Sequence, residues 1–188
     1  DLDALLQRLA GAPEGAITVV TPNRRLASWL ERGYDQFQAG AGRTAWGRAD
    51  IVSFRAFVER EWRLLTYRAS TAPPRLITDY ANQAIWEGVI RDAMRDDAPL
   101  MNLAKAAREA KLAWRLSMAW GLAPEFEREA LGVDAQMFCD WLNRYETRCG
   151  ELGVVAAEAL PDLLGRRVLE SRGAFDGRTI IALEFDLS

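Results

Sequence analysis

The sequence predicts an α/β fold in which a parallel sheet is interrupted by a large all-helical insertion. Two short apolar runs, at residues 17–20 and 51–54, are each followed directly by a helical pattern, which is typical of parallel strands joined by crossover helices. Helical patterns then fill residues 76–172, and a third apolar run returns at 179–183. We therefore expect residues 1–75 to form the first part of an α/β core, residues 76–172 the insertion, and residues 173–188 the returning core strand.

The spacing of apolar residues predicts the first helices and strands. Residues 2–10 place leucines at helical intervals, and residues 17–20 are a β-branched run that suits a strand buried on both faces. Asn23 can cap the next helix, whose apolar side is expected to comprise Leu26, Trp29, Leu30 and Phe37. A loop at 40–47 precedes the second strand, and the core face of the helix after it is expected to comprise Phe54, Phe57, Val58, Trp62 and Leu65.

The insertion should contain four helices, over residues 77–95, 101–121, 134–151 and 156–171, with Pro99 between the first two. The inward positions of the first are expected to be Ile77, Ala81, Ala84, Ile85 and Gly88, with Trp86 also in the core. Those of the second are Leu103, Ala107, Ala110, Trp114 and Met118. Those of the last two are Met137, Phe138, Trp141, Leu142 and Tyr145, then Leu160, Leu163, Leu164 and Val168.

The composition narrows the function classes. The chain has no histidine, the commonest general base and metal ligand. Its two cysteines, Cys139 and Cys149, are ten residues apart in one predicted helix, too far for a disulfide, so we expect free thiols. No apolar run is long enough to cross a bilayer, and the first residues are acidic where a signal peptide is basic. We expect a cytoplasmic protein that has no membrane partner and no metal or catalytic site in this chain.

The charges are unevenly distributed. Residues 24–68 hold nine arginines and five acids, a local charge of +4, whereas residues 123–165 hold three arginines and nine acids, a charge of −6. The basic segment indicates either a surface that faces nucleic acid or an ordinary solvated face. The acidic segment suits a contact within a protein better than a DNA-facing surface.

Four stretches together resemble a known family. TVVTPNRRLASWLE, AWGRADIVSFRAFVEREW, ANQAIWEGVI and TIIALEFDLS resemble the amino-terminal part of a bacterial DNA-repair family that combines a degenerate helicase-like region with a carboxy-terminal PD-(D/E)XK nuclease domain. Members of this family are similar to AddB and to RecB-type exonucleases. The resemblance implies a degenerate P-loop-NTPase-like core and a role in DNA repair and recombination.

The first strand-to-helix junction departs from an active helicase. Such a helicase has a glycine-rich loop that ends in Gly-Lys-Thr/Ser and cradles phosphates with backbone N–H groups. Here no glycine occurs between Ile17 and Gly33, no lysine precedes Lys105, and Pro22 lacks an N–H. We therefore expect no ATP binding of the helicase type at this junction.

The returning strand departs in the same way. An active helicase ends it in Asp-Glu, whereas AddB-like chains tend to have Gly-Phe followed by Thr/Ser and Pro. This chain has Glu184 where that glycine is expected, Phe185 next and then Asp186, and so lacks the adjacent Asp-Glu pair. We expect no joint metal site from the two acids.

The resemblance also implies partners. The chain contains no PD-(D/E)XK signature, so we expect it to be a fragment of a longer exonuclease whose nuclease domain would use Mg²⁺. The expected partners are DNA, the remainder of the same polypeptide, and a helicase subunit. Two alternatives stay open: a diverged ATP-binding helicase domain, and a purely structural protein-interaction domain.

The candidate DNA contacts follow the strands. Asn23, Arg24 and Arg25 lie at a helix amino terminus after the first strand, where an open α/β sheet usually binds ligands. Ser53 and Arg55 follow the second strand, in the segment that contacts single-stranded DNA in the helicases that the chain resembles. Trp46, between Arg43 and Arg48, would stack on a base or fill the edge of a core.

A second basic surface is a weaker candidate. Lys105, Arg108, Lys111 and Arg115 form a stripe at helical spacing, which indicates either a DNA contact or a solvated face.

Overall fold

The computed structural model describes residues 1–68, 73–94, 102–121, 132–170 and 177–184. Its elements in chain order are α1 (Leu2–Gly11), β1 (Ile17–Thr21), α2 (Arg24–Gly40), β2 (Asp50–Ser53), α3 (Phe54–Arg68), β3 (Arg75–Leu76), α4 (Asp79–Ala93), α5 (Leu103–Ala119), α6 (Val133–Leu152), β4 (Val154–Val155), a 3-10 turn (Ala157–Ala159), α7 (Leu160–Glu170) and β5 (Thr179–Ala182). The expected mixed α/β fold with a small parallel sheet and large helical content is confirmed.

The chain forms two compact units. One, here called the sheet unit, comprises Asp1–Leu65 and Leu164–Ser188, and the other, the helical unit, comprises Thr66–Leu163. The boundaries between them therefore fall within α3 and α7.

The sheet unit contains three parallel strands in the order β2-β1-β5. The central strand, β1, is buried along its whole length, as the β-branched run predicts. Helices α1 and α2 cover one face, where Val19 and Leu30 are almost fully buried. Because side chains alternate along a strand, Thr18 faces the other side, where α3 lies. Trp29 and Phe54 were expected in the core but are 51% and 40% exposed.

The helical unit is built around stacked aromatic rings. The rings of Trp86 and Tyr145 stack with centroids 4.2 Å apart, and that of Trp114 tilts against both. Trp141 packs at the edge of this core. The tilted and stacked geometries are those that aromatic quadrupoles favour.

Two helix faces in this unit differ from the predicted ones. The buried face of α4 comprises Asn82, Trp86, Val89 and Ile90, whereas Ala84 is exposed. Asn82 is buried because its Oδ1 accepts a 2.8 Å hydrogen bond from the Tyr145 hydroxyl. Met137 of α6 is 41% exposed, while Cys139, one of the two free thiols, is buried.

Two short strands were not predicted. The Arg75 N–H donates to the Gly153 carbonyl and the Ile77 N–H to the Val155 carbonyl, which makes a two-residue parallel ladder of β3 and β4. Gly153 ends α6 in the left-handed conformation, with φ of 58°, and turns the chain into β4.

Candidate nucleic-acid interface

The carboxyl ends of the three strands form one edge of the sheet. Thr21 of β1 is in register with Ser53 of β2, and the Leu183 N–H after β5 donates to the Val20 carbonyl at 3.0 Å. The residues that follow each strand therefore share this edge, which is the usual ligand crevice of an open parallel sheet. Of the predicted site residues, the edge receives Asn23, Arg24, Arg25, Ser53 and Arg55.

The junction between β1 and α2 is only two residues long, Pro22 and Asn23. The hydroxyl of Thr21, a fully buried residue, donates to the Asn23 carbonyl at 2.9 Å. The Asn23 Oδ1 accepts a hydrogen bond from the Leu26 N–H at 3.0 Å, so Asn23 caps α2 as predicted. The junction is thus tied to the strand on one side and to the helix on the other.

Arg24 and Arg25 present cationic groups at this junction. Both side chains are exposed, and neither forms an ion pair with the residues that the structure describes. Their backbone N–H groups belong to the first turn of a 17-residue helix, where they lack intrahelical acceptors and carry the positive end of the helix dipole. Side chains and backbone therefore favour an anion at the same place.

Ser53, the last residue of β2, and Arg55 both form hydrogen bonds with residues of α3. The Ser53 Oγ accepts from the Ala56 N–H at 3.4 Å, and the Arg55 Nε donates to Glu59 Oε1 at 2.9 Å. Both residues share the edge with Arg24; the Arg55 guanidinium already has an acidic partner, whereas the Ser53 hydroxyl is only the acceptor in its hydrogen bond.

Glu184 has an unusual backbone at the same edge. It is exposed and has a φ of 58°, in the left-handed region that favours glycine. This is the position where the family resemblance expects a glycine, and the sequence analysis does not predict a left-handed backbone there. Phe185 and Asp186 lie outside the described residues.

Trp46 lies at the opposite edge of the sheet, because it precedes β2 and contacts the far half of α2. Its Nε1 donates to Asp35 Oδ1 at 2.9 Å, and its ring packs against the core between α1 and α2. The structure therefore does not bring Trp46 together with Arg24 and Arg25.

One of the four residues in the basic stripe of α5 is largely shielded from solvent. The Lys111 Nζ donates to Asp79 Oδ1 at 2.8 Å, and the Lys111 side chain is only 17% exposed. Lys105, Arg108 and Arg115 are exposed.

A partly buried ionic network supports the sheet on the α3 side. The Arg178 guanidinium donates two hydrogen bonds, of 3.1 and 2.7 Å, to the Glu61 carboxylate, whose side chain is 4% exposed. Arg60 of the same helix contacts Glu61 at 3.3 Å and Asp50 at 2.7 Å, and Thr18 donates to Asp50 at 2.6 Å. The network thus contains two cations and two anions. No sequence motif predicts the pair of Glu61 and Arg178, because the two residues are 117 positions apart.

The network shifts the ionisation of its members. Burial alone would raise the pKa of Asp50, but hydrogen bonds from Arg60 and Thr18 outweigh burial and hold it below its ordinary value. The hydrogen bond to Glu61 raises the pKa of Arg178 above its ordinary value. Sequence reasoning missed all five residues of this network, which join α3 to β1, to β2 and to the residue just before β5.

Comparison with known proteins adds no family assignment. No protein-family model matches the sequence, and no curated protein matches it significantly. The fold and site therefore define the class: a mixed α/β chain with a parallel three-stranded sheet and a separate helical unit.

Two kinds of feature are absent from the described residues. No described helix combines the length and the apolarity needed to span a bilayer. In the same part of the chain, three or more cysteine, aspartate or glutamate side chains do not gather into a group suited to a metal ion.

Proposed function

We propose that this chain is a non-catalytic, helicase-like module of a DNA repair and recombination exonuclease. In this proposal the sheet unit is a degenerate P-loop-NTPase-like core that holds DNA through phosphate contacts and serves as a scaffold for the parent enzyme. The nuclease domain of that enzyme, with its Mg²⁺, belongs to the remainder of the polypeptide, and a helicase subunit is a further partner. The site of action is the cytoplasm.

The single observation that carries the proposal is the two-residue junction at Pro22 and Asn23. A phosphate cradle needs several consecutive N–H groups in a loop that curves around the ligand. Pro22 has no N–H, and the Asn23 side chain already accepts from Leu26, one of the first N–H groups of α2. This geometry disfavours a wrapped triphosphate, yet it leaves Arg24 and Arg25 available for a single phosphate on an extended backbone.

A titration of labelled single-stranded DNA over a range of salt concentrations tests the proposal. The logarithm of the binding constant should fall linearly with that of the salt concentration, by about 0.7 per phosphate contact on a single strand. Replacing Arg24 and Arg25 together by glutamine should weaken binding and reduce the slope by about 1.4 if each contacts one phosphate.

The matched control replaces Arg91 and Arg144 by glutamine, two exposed arginines outside the basic stripe, which changes the net charge equally but on the helical unit. It should keep the wild-type slope. Absence of binding at low salt, or equal effects of the two double variants, would contradict the proposal.

The first alternative is a diverged domain that still binds ATP. It predicts saturable, Mg²⁺-dependent nucleotide binding that is lost with Arg24 and Arg25. The short proline-containing junction weighs against it.

The second alternative, a protein-interaction domain, has one observation in its favour. An apolar cleft of about 730 Å³ lies among α1, α2 and the residues around β5, and Trp29 lines it with 51% of its surface exposed. Large exposed apolar surface is typical of protein contacts. This alternative predicts that replacing Trp29 by serine leaves folding intact, and that the chain binds no single-stranded DNA at low salt.

A further inference from the structure

A second, more polar cleft lies at the opposite edge of the sheet from Arg24. It is bounded by the 12–15 loop, the far half of α2 and the segment before β2, and its volume is about 270 Å³. Trp46 lines it, so the predicted candidate that the first site leaves out belongs to this one.

The cleft includes a buried polar pair. Gln38 and Tyr34 are 1% and 5% exposed, and the Gln38 Nε2 donates to the Tyr34 hydroxyl oxygen at 2.6 Å. The Gln38 Oε1 is buried and has no hydrogen-bond partner among the described residues. An unpaired buried acceptor is costly, so a ligand that donates to it gains more than it would at an exposed acceptor.

Aromatic and cationic groups complete the cleft. The hydrogen bond from Trp46 to Asp35 fixes the position of its indole ring. Arg43 is exposed and forms no ion pair with any described residue, whereas Arg48 is held by Glu31 at 2.6 Å. Arg43 is thus the cation that remains available to an anionic ligand.

We propose that this cleft binds one nucleotide, as part of a single strand of DNA. The base lies against Trp46, Arg43 contacts a phosphate, and the Gln38 side chain turns so that its buried Oε1 accepts from an N–H of the base. These three residues together select a small ligand that has a hydrogen-bond donor, a flat ring and a negative charge, as a nucleotide does. The five residues of β1 separate this cleft from Arg24 by about 17 Å, at roughly 3.3 Å per residue, so one strand could contact both edges. The inference rests on the proposed function.

The first test uses deoxycytidine monophosphate as the probe, added to the whole chain and followed by NMR. The Trp46 indole N–H signal, assigned by its loss in Trp46→Phe, should shift to saturation. Trp46→Ala should weaken binding roughly 5- to 150-fold, the range that loss of one stacked base implies. Gln38→Met and Arg43→Gln should each weaken it as well, while the control Arg32→Gln, an exposed arginine of the same helix, should not.

Gln38→Met changes a buried residue and can prevent folding. The Arg43→Gln variant changes an exposed residue, so it tests the proposal even if the Gln38→Met protein does not fold. Saturation without any shift of the Trp46 signal, or no saturation at all, would overturn the proposal.

The second test separates a DNA base from a free nucleotide and this inference from the proposed function. A single strand in which every base is removed should bind more weakly than the intact strand, and Trp46→Ala should erase the difference. If the two strands bind alike and binding still depends on Arg24 and Arg25, the nucleotide cleft is wrong and the proposed function stands. If the nucleotide binds here but no strand binds, the cleft stands as a free-nucleotide site and the proposed function fails.

Discussion

Replacing Arg178 by alanine should destabilise the sheet unit strongly. The substitution removes both hydrogen bonds to Glu61, whose side chain is 4% exposed. Among the described residues, the Glu61 carboxylate would then keep only its 3.3 Å contact with Arg60. Breaking a buried pair by removing one partner costs about 3–5 kcal/mol. Because Arg178 is 27% exposed and Arg60 remains, we expect the lower part of that range, about 3 kcal/mol.

The assay is urea unfolding followed by circular dichroism, with thermal melts in parallel. A loss of about 3 kcal/mol corresponds to a fall in Tm of roughly 6–12 °C for a chain of this size. The matched control is Arg63→Ala on α3, whose partner is Glu59 and whose side chain is 70% exposed; it should cost about 0–1 kcal/mol. Equal free-energy changes for the two variants would refute the assignment of Glu61 and Arg178 as a structural pair.

Three further substitutions have distinct expected outcomes. Asp50→Asn should cost stability at neutral pH, and the cost should shrink as the pH falls below about 4, because a group whose folded pKa is lowered gives stability that is present above its unfolded pKa and is lost on protonation; a cost that stays constant as the pH falls below about 4 would contradict this. Tyr145→Phe should lower the free energy of unfolding by about 1–3 kcal/mol, since it leaves the buried Asn82 Oδ1 without its donor, and an unchanged urea midpoint would count against that hydrogen bond. Glu184→Gly should raise the unfolding free energy by about 0.5–1 kcal/mol by relieving the left-handed backbone, whereas Glu184→Ala, which keeps a Cβ, should not; equal thermal midpoints for the two variants would refute the strain.

Much of the fold could be predicted because its elements carry strong local patterns. β1 has a β-branched run between turn residues, and α2 begins at an asparagine that caps it. The helices of the helical unit were placed to within a few residues because each presents an apolar stripe. The spacing of apolar residues within a helix predicts the helix without any information about the surface against which it packs.

The rest depended on contacts between distant residues. The buried face of α4 was predicted from its small apolar residues. The Tyr145 hydroxyl gives Asn82 a buried hydrogen-bond partner, so the face that contains Asn82 is buried instead. β3 and β4 are two residues each, too short for any period to show. Trp29 lies over an apolar cleft and not in a closed core, which its helical spacing alone did not distinguish.

The candidate site was predicted only in part. Position along the chain places Asn23, Arg24, Arg25, Ser53 and Arg55 at one sheet edge, because the carboxyl ends of parallel strands meet there. Trp46 precedes β2 and so lies at the opposite edge, but it was proposed from its neighbouring arginines, Arg43 and Arg48, and not from its place relative to the strands. Position along the chain did not reveal that Arg55 is paired with Glu59.

The most direct test of the central claim follows the backbone amide signals of Arg24 and Arg25 by NMR during two titrations, one with a short single strand of DNA and one with ATP and Mg²⁺. The account predicts that the DNA shifts both amides at low salt and that millimolar ATP with Mg²⁺ leaves them in place. Saturable shifts of these amides with ATP and Mg²⁺, with none from DNA, would contradict it.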